Sequence, residues 1–449
     1  MSSLQTNGGT VIKNEDLILN QVLKFYTTLY AQPTLTQEEI QEQGKALTLL
    51  KWLVFEEDNR LLMALPDEAE VSKAVSDLPS NKAPDEDGLT AEVLREMWSE
   101  VGAGCLHFVQ EVWRSKRLGK LNSGAIVKLI LKSEEKAKLS NWRPISLLNL
   151  SYKLAGRILA KRLKELIPKL VDEEQTGFVH GRSITDNIVS LSLCQELAVA
   201  KKEPVLFVKL DFVKAFDRVQ HAFHWSTMRC MGFGSEIITL TQAFVSEGHA
   251  RVHMNGRYTK SFKLERGVRQ GCPISPLLFS ISTQPLMWLL REGEQKGEIE
   301  GVSVPKGGTL LHRLFADDSG VAVKAEERNF RNLCKIIEWF EKISGAQLNP
   351  AKSVIIPFAL EHPLPWLQSI GCQVLNPGQY ITYLGCHFGL EKSEEERASD
   401  LQKKLQRKLG RWACRFLTWA SRGTAPTTRV ASTPNVSFLG FRPASNQLQ

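Results

Sequence analysis

The spacing of apolar and polar residues divides the first part of the chain into helices. Apolar residues between Leu17 and Tyr30 recur at intervals close to 3.6, which predicts an amphipathic helix that begins near Asn14. Thr36 with Glu39 three residues later is the pattern of a capping box and predicts the start of a second helix. Helical spacing continues almost as far as Leu78, so we expect residues 1–77 to form a helical N-terminal extension.

Short apolar runs bounded by turn-forming residues predict strands in the middle of the chain. Residues 204–212 form a run typical of a buried strand, with Asp211 at its end. Two further runs, residues 250–254 and 258–264, are joined by Asn255-Gly256, the dipeptide typical of a two-residue hairpin turn. Because strands and helices both occur, we expect an α+β fold.

Helical spacing returns on both sides of these strands. Residues 152–170 predict a strongly basic amphipathic helix, whose cationic face either is solvated or contacts nucleic acid. Residues 276–291 predict an apolar helix, and residues 401–422 predict a second basic one with seven Lys or Arg and no Asp or Glu. Residues 425–449 are rich in Ser, Thr, Pro and Asn, which predicts a disordered tail.

Composition narrows the class of protein. The 449 residues are 43% hydrophobic and 24% charged, as in an ordinary globular protein, and the net charge of +8 suits a polyanionic partner such as nucleic acid. None of the eight cysteines has the C-x-x-C spacing of a zinc site, so we expect buried thiols in a reducing compartment. The sequence shows neither a signal-peptide core nor an apolar run of membrane-spanning length, so we expect an intracellular protein that does not enter a membrane.

Two adjacent carboxylates, Asp317 and Asp318, stand between apolar runs at 308–315 and 320–324 that predict two strands. Neighbouring carboxylates repel each other unless they share a positive charge, and a hard divalent cation is the usual solution. Asp211 lies 317 − 211 = 106 residues earlier, at the end of its predicted strand. Three carboxylates at one point would suffice for two Mg²⁺ ions. A solvated turn for the pair and a helix N-cap for Asp211 remain the alternatives.

These acidic segments belong to a longer series of sequence blocks. In chain order the blocks are Arg143-Pro144-Ile145-Ser146-Leu147, Gln175-Thr176-Gly177-Phe178 with Gly181-Arg182-Ser183-Ile184, Val208 to Asp217, Gly267 to Pro276, Phe315 to Asp318, Ser344-Gly345 through Asn349-Pro350 to Lys352, and Tyr383-Leu384-Gly385. The series resembles the reverse transcriptase domain of non-LTR (LINE-type) retrotransposons. Each block alone is a weak signal, but this many blocks in the family's order is highly specific.

The resemblance implies a right-hand polymerase, in which an antiparallel palm sheet packs on helices between fingers and thumb. It implies fingers and palm over residues 78–389 and a partial thumb with a basic helix over residues 390–424, before the tail at 425–449. Two departures stand out: no segment resembles the endonuclease that usually precedes such a polymerase, and the family's pattern ends near Arg422. We therefore expect a fragment with an incomplete thumb.

The resemblance also implies the catalytic residues. Asp211, Asp317 and Asp318 match the family's acidic triad, which would hold two Mg²⁺ ions, with Mn²⁺ as an alternative. Asp211 and Asp317 would bridge the ions, and Asp318 would be more peripheral. Lys352 matches the position of a general acid that protonates the leaving pyrophosphate, against the alternative of an ordinary exposed lysine.

Substrate contacts are implied in the same way. Phe216 matches an aromatic steric gate against a ribose 2′-hydroxyl, and Phe212 lies in the same block; core packing is the alternative for Phe216. Asp217, the acid after the gate, should point elsewhere. The resemblance therefore implies deoxynucleoside triphosphates as substrates.

Four further residues complete the implied substrate site. Arg143 and Lys132 match fingers residues that grip the incoming triphosphate, Arg as a planar fork and Lys as a point charge. Gln270 would hydrogen-bond near the nascent base pair or template. Gly271 lies in the tight strand-to-helix turn beside it.

The implied activity is RNA-directed DNA polymerisation, in which deoxynucleotides are added to a primer 3′-hydroxyl by two-metal phosphoryl transfer. The implied partners are an RNA template and a DNA primer or target DNA, and such elements copy themselves in the nucleus. Two alternatives remain: a truncated, non-catalytic retroelement relic that only binds nucleic acid, and an intron maturase, which would need an RNA-binding extension after the thumb. The sequence does not predict an oligomeric state.

Overall fold

The computed structural model describes residues 3–5, 10–84, 87–132, 135–304, 309–310, 312–316, 318–360, 362, 364–376 and 379–389. Asp317 lies outside the described residues, as do the predicted basic helix at 401–422 and the tail. The described part is a mixture of helices and sheets, which confirms the predicted α+β class. No helix among the described residues has both the length and the apolar character that a membrane crossing requires.

Helices form most of the N-terminal part of the described chain and then alternate with strands. In chain order they are α1 (Glu15–Tyr30), α2 (Gln37–Leu47), α3 (Glu56–Met63), α4 (Glu68–Ser76), α5 (Ala91–Glu96), α6 (Trp98–Ser115), α7 (Lys120–Ser123), α8 (Leu150–Leu170), α9 (Ile184–Lys201), α10 (Ala215–Arg218), α11 (His221–Cys230), α12 (Ser235–Val245), α13 (Ser275–Ser282), α14 (Gln284–Gln295) and α15 (Glu327–Ser344).

The strands are mostly short. In chain order they are β1 (Leu4–Gln5), β2 (Val11–Ile12), β3 (Gly124–Leu131), β4 (Trp142–Leu147), β5 (Val205–Leu210), β6 (His249–Met254), β7 (Arg257–Tyr258), β8 (Phe262–Lys263), β9 (Val302–Ser303), β10 (Thr309–Leu310), β11 (His312–Phe315), β12 (Asp318–Lys324), β13 (Val354–Phe358), β14 (Gln373–Val374), β15 (Tyr380–Tyr383) and β16 (Cys386–Gly389).

The central sheet has the strand order β11-β12-β5-β13-β14. Its pairs are antiparallel except β13 with β14, which is parallel. Strand β5 is the middle strand, and its two faces enter different clusters: Leu206 and Val208 join the main core, whereas Val205 and Phe207 join a second cluster. Burial on both faces explains why residues 205–208 of this strand are a continuous apolar run.

The second sheet has the order β4-β3-β6-β7, with β8 also paired to β6. Asn255 and Gly256 connect β6 to β7 with φ values of 50° and 77°, the left-handed pair that a type I′ turn needs, so the predicted hairpin is confirmed. Its second arm is interrupted, because β7 and β8 are separate short strands.

The N-terminal helices are integrated into the fold. Helix α1 packs on the second sheet through Ile18, Val22 and Tyr26, and α2 begins at the predicted capping box of Thr36 and Glu39. Side chains of α2, α3 and α4 belong to the same core as those of α8. The predicted helices before Leu78 are therefore confirmed, and they share their apolar contacts with the rest of the chain.

Two expectations about helices need correction or refinement. The predicted helix over 276–291 is two helices, α13 and α14, because Pro285 near the start of α14 has no N–H to continue the hydrogen-bond ladder. The basic helix α8 is present, but its Arg162 binds Glu70 through two hydrogen bonds of 2.9 and 2.6 Å. This part of the cationic face therefore joins α8 to α4.

Candidate active site

The pairing of β5 with β12 brings two of the predicted carboxylates to one edge of the central sheet. Leu210 pairs with Ser319 in an antiparallel register, so Asp211 and Asp318, the next residue along each strand, come to the same edge of the sheet. The expectation that Asp211 and the acidic hairpin share an edge is therefore correct for Asp318, while Asp317 lies outside the described residues.

The hairpin is tighter than the sequence indicated. Phe315 pairs with Asp318, so β12 begins at Asp318 and not near Gly320 as expected. Asp318 is thus a strand residue, which fixes its direction by the pleat. The Nζ atom of Lys209 on β5 lies 3.8 Å from its Oδ1, and this positive charge offsets part of the repulsion between the carboxylates.

A loop after α15 holds Asp211 in place. The side-chain amide of Asn349 donates to Oδ2 of Asp211 at 3.1 Å, and the backbone N–H of Asn349 donates to the carbonyl of Asp211 at 2.7 Å. The backbone N–H of Asp211 donates to the Ser353 hydroxyl at 3.1 Å. The N-cap of the next helix, α10, is Lys214, so the alternative of Asp211 as a helix cap is wrong.

Behind the hairpin lies the block that begins at Gln175. The Gln175 side-chain oxygen accepts hydrogen bonds from the backbone N–H groups of Ala316, at 3.0 Å, and Gly177, at 2.9 Å. Ala316 has a left-handed φ of 57°, and Gln175 is fully buried. A side chain at Gly177 would collide with the backbone of Ala316. The sequence identifies this block but does not predict the contact of Gln175 with Ala316.

The two aromatic candidates differ in their surroundings. The Phe216 ring is half-buried and stacks on Phe279, with centroids 4.4 Å apart and planes at 15°, and Phe178 meets it edge to face. The Phe212 ring meets Phe340 edge to face at 6.2 Å. Both rings therefore make packing contacts, and the stack on Phe279 fixes the plane of Phe216.

Gln270 and Gly271 lie against the edge of the second sheet. The Gln270 carbonyl accepts a hydrogen bond from the Ser146 backbone at 2.7 Å, and its side-chain amide donates to Asp217. Gly271 has φ = 114°, and any Cβ there would collide with the Ser146 carbonyl. The glycine is therefore required by backbone strain and by close approach.

Several cations belong to the segments that surround Gln270 and Asp211. Arg143 on β4 and Lys132 after β3 are exposed, as is Lys352 in the loop that holds Asp211. Lys214 is a further cation that the sequence reasoning did not single out, and it donates to the Trp142 carbonyl at 3.1 Å. Burial lowers the pKa of Lys214; Asp217 opposes this shift, whereas the charges of Lys132 and Lys352 add to it. The positive charges of Lys132 and Lys352 thus both lower the pKa of Lys214.

A second acidic group occurs elsewhere in the described residues. Ligand-type atoms of Asp172, Glu174 and His312 lie within 4.8 Å of one another. The Arg291 guanidinium, however, contacts the Asp172 carboxylate at 2.5 Å and that of Glu174 at 2.8 Å. Because a positive charge already bridges these carboxylates, we interpret the group as a partly buried ion-pair network rather than a metal site.

Comparison with known proteins gives the same family as the sequence blocks. The family model described as "Reverse transcriptase (RNA-dependent DNA polymerase)" matches residues 130–441. The match extends past Arg422, so the expectation that the family's pattern ends there was wrong.

The curated proteins that the chain resembles are also proteins of transposons and retrotransposons. The chain is 25% identical, over 92% of its own length and 31% of the relative's, to the "Transposon TX1 uncharacterized 149 kDa protein" of Xenopus laevis. It is 25% identical to the Pol polyprotein from retrotransposable element R2 of Popillia japonica, over 72% and 45% of the two chains. It is 24% identical to the "RNA-directed DNA polymerase from mobile element jockey" of Drosophila melanogaster, over 78% and 38%.

The chain thus spans less than half the length of each of these relatives. The family model covers most of the chain, and the blocks quoted above contribute the two carboxylates, Asp211 and Asp318, at one edge of the central sheet. The chain therefore belongs to the reverse transcriptase family, as a reverse transcriptase domain of the non-LTR retrotransposon type.

Proposed function

We propose that this chain is an RNA-directed DNA polymerase that adds deoxynucleotides to a primer 3′-hydroxyl on an RNA template. The observation that carries the proposal is the pairing of Leu210 with Ser319, which brings Asp211 and Asp318 to one edge of the central sheet, where Asn349 holds the Asp211 carboxylate. In this proposal the central sheet is the palm of a right-hand polymerase, and the second sheet with its exposed Arg143 and Lys132 belongs to the fingers.

The donor set fits a hard divalent cation. Asp211 and Asp318 offer carboxylate oxygens from two rigid neighbouring strands, and oxygen ligands are what Mg²⁺ prefers. Asp211, Asp317 and Asp318 would hold two Mg²⁺ ions. Such ions, when bound, activate a hydroxyl nucleophile and stabilise the charge on a leaving pyrophosphate.

The residues of the chain would bind and orient the reactants. Arg143 and Lys132 would contact the triphosphate of the incoming nucleotide, where their positive charge balances the phosphate oxygens. Lys352 is on the Asn349 loop beside Asp211 and would hold the proton that pyrophosphate takes up. Gln270 and Gly271 would lie against the template strand, and Phe212 would pack beneath the nucleotide site.

Phe216 would exclude ribonucleotides. Its ring stacks on Phe279, and this contact would oppose the movement needed to admit a 2′-hydroxyl. Asp217, the next acidic residue, is 1% exposed and bonded to Tyr30, so its carboxylate does not take part in sugar recognition.

The proposal is tested by primer extension on an RNA template with Mg²⁺ and deoxynucleotides. We expect extension by the wild type and none by the Asp317→Ala/Asp318→Ala variant, because the acidic ligands are lost. Asp77→Asn serves as the control, since Asp77 is an exposed residue at the end of α4 that forms a surface ion pair with Lys73. A wild type that binds the template and primer but extends nothing contradicts the polymerase and favours a relic that only binds nucleic acid.

Removal of the Asp211 support should slow the reaction without abolishing it. Asn349→Ala takes away the amide that orients the carboxylate, and loss of such an outer partner costs about 10–100-fold in activity or metal affinity. Raising the Mg²⁺ concentration should restore part of the rate. The control is Asn332→Ala on α15, which removes an exposed amide that donates to the Glu298 carbonyl. Equal rates in the two variants would rule out this role for Asn349.

Truncation of the proposed gate should alter sugar selectivity. Phe216→Val opens space beside the ribose, so we expect discrimination against ribonucleotides to fall by about 10–100-fold while deoxynucleotide incorporation persists. The ratio of kcat/KM for matched deoxy- and ribonucleotides measures this effect. Phe330→Leu, which shortens a core aromatic packed on Trp366, is the control. An unchanged ratio in Phe216→Val would mean that the ring serves only for packing.

A further inference from the structure

A buried carboxylate links the N-terminal helix α1 to the loop that carries Gln270. Asp217 on α10 is 1% exposed and accepts a hydrogen bond of 2.8 Å from the Tyr30 hydroxyl. The side-chain amide of Gln270 donates to both of its carboxylate oxygens, at 3.3 and 3.2 Å. These three side chains come from parts of the sequence up to 240 positions apart (270 − 30 = 240).

The contact restricts the Gln270 side chain to one orientation. An ionised carboxylate only accepts hydrogen bonds, so it draws the NH₂ group of the amide toward itself. The amide oxygen of Gln270 then faces away from Asp217. A side-chain amide without such a partner can rotate by 180° and exchange its donor for its acceptor.

The Tyr30 hydroxyl is held by its ring and by the backbone around it. The ring stacks on Phe262 at 6.1 Å, and the Tyr30 carbonyl accepts from the Glu265 backbone at 3.0 Å. The Arg266 side chain donates to the Leu29 carbonyl at 2.7 Å. The end of α1 is therefore attached to the segment that leads directly into Gln270.

We propose that Tyr30 and Asp217 are positioning residues that hold the Gln270 amide in a single orientation, with its oxygen available to the nucleic acid. The inference rests on the proposed function, because the orientation of Gln270 matters only when the chain holds a template and primer. It makes α1, which lies outside the recognised sequence blocks, part of the nucleic-acid site.

The electrostatics around Asp217 support this arrangement. Burial raises the pKa of Asp217 to about 6, while the charge of Lys214 and the hydrogen bonds from Tyr30 and Gln270 oppose the rise. The carboxylate is thus mostly ionised above neutral pH. The charge of Asp217 also helps to raise the pKa of Tyr26 on α1, without a hydrogen bond between the two, and the charge of Arg269 opposes the rise in the pKa of Tyr30.

The test compares Tyr30→Phe, Asp217→Asn, Gln270→Ala and the double variant Tyr30→Phe/Gln270→Ala. The control is Tyr26→Phe, one turn earlier on α1: its ring also stacks on Phe262, but its buried hydroxyl has no hydrogen-bond partner among the described residues. The measurements are KM for template and primer, kcat, the equilibrium affinity for the same duplex, and the thermal midpoint.

We expect Tyr30→Phe and Asp217→Asn to weaken the KM and affinity for the duplex by about 3–10-fold, the effect of about one hydrogen bond, with kcat less affected. The double variant should be no weaker than Gln270→Ala alone, since Tyr30 acts through Gln270. Tyr26→Phe should behave as the wild type.

Other outcomes overturn the proposal. Additive losses in the double variant, or an equal loss in Tyr26→Phe, would mean that Tyr30 contributes only to general packing, as would a weakening that merely follows the thermal midpoint. If Gln270→Ala binds the duplex with wild-type affinity, Gln270 does not contribute to nucleic-acid binding and the proposal fails. If the wild type does not extend primers, the proposed function fails, while the affinity comparison still decides this inference.

Discussion

The geometry of the candidate active site depends on the antiparallel pairing of β5 with β12. That pairing is set by apolar side chains on both faces of β5, since a shift of one residue would exchange the side chains that face the two clusters. The same register brings Asp211 and Asp318 to one edge of the sheet. Burial of the apolar residues, not attraction between the acidic ones, therefore creates the acidic edge.

Placing carboxylates together costs free energy, and the surrounding residues offset part of that cost. Lys209 supplies a positive charge near Asp318, and Asn349 donates to Asp211. The repulsion between Asp172 and Glu174 is offset in a different way, because the Arg291 guanidinium contacts both carboxylates. At the edge that carries Asp211 and Asp318, the cation is more distant: the Nζ atom of Lys209 lies 3.8 Å from the Asp318 carboxylate.

The sequence predicted the features that local residues determine. The capping box at Thr36, the hairpin at Asn255-Gly256 and the strand before Asp211 each depend on neighbouring residues, and the structure confirms them. The sequence did not predict contacts between distant segments, such as Gln175 with Ala316 or Tyr30 with Asp217. These contacts depend on tertiary packing, and no spacing or propensity in the chain encodes them.

The central claim is that two segments 106 residues apart share a divalent cation, and iron-directed cleavage tests it directly. Fe²⁺ replaces Mg²⁺ at oxygen-rich sites and, with ascorbate and peroxide, cuts the backbone near the bound ion. The account predicts cuts close to Asp211 and close to the hairpin before Asp318, which Asp211→Asn abolishes together and excess Mg²⁺ suppresses. Cuts confined to the region of Asp172, Glu174 and His312, or cuts at the hairpin that persist in Asp211→Asn, would contradict it.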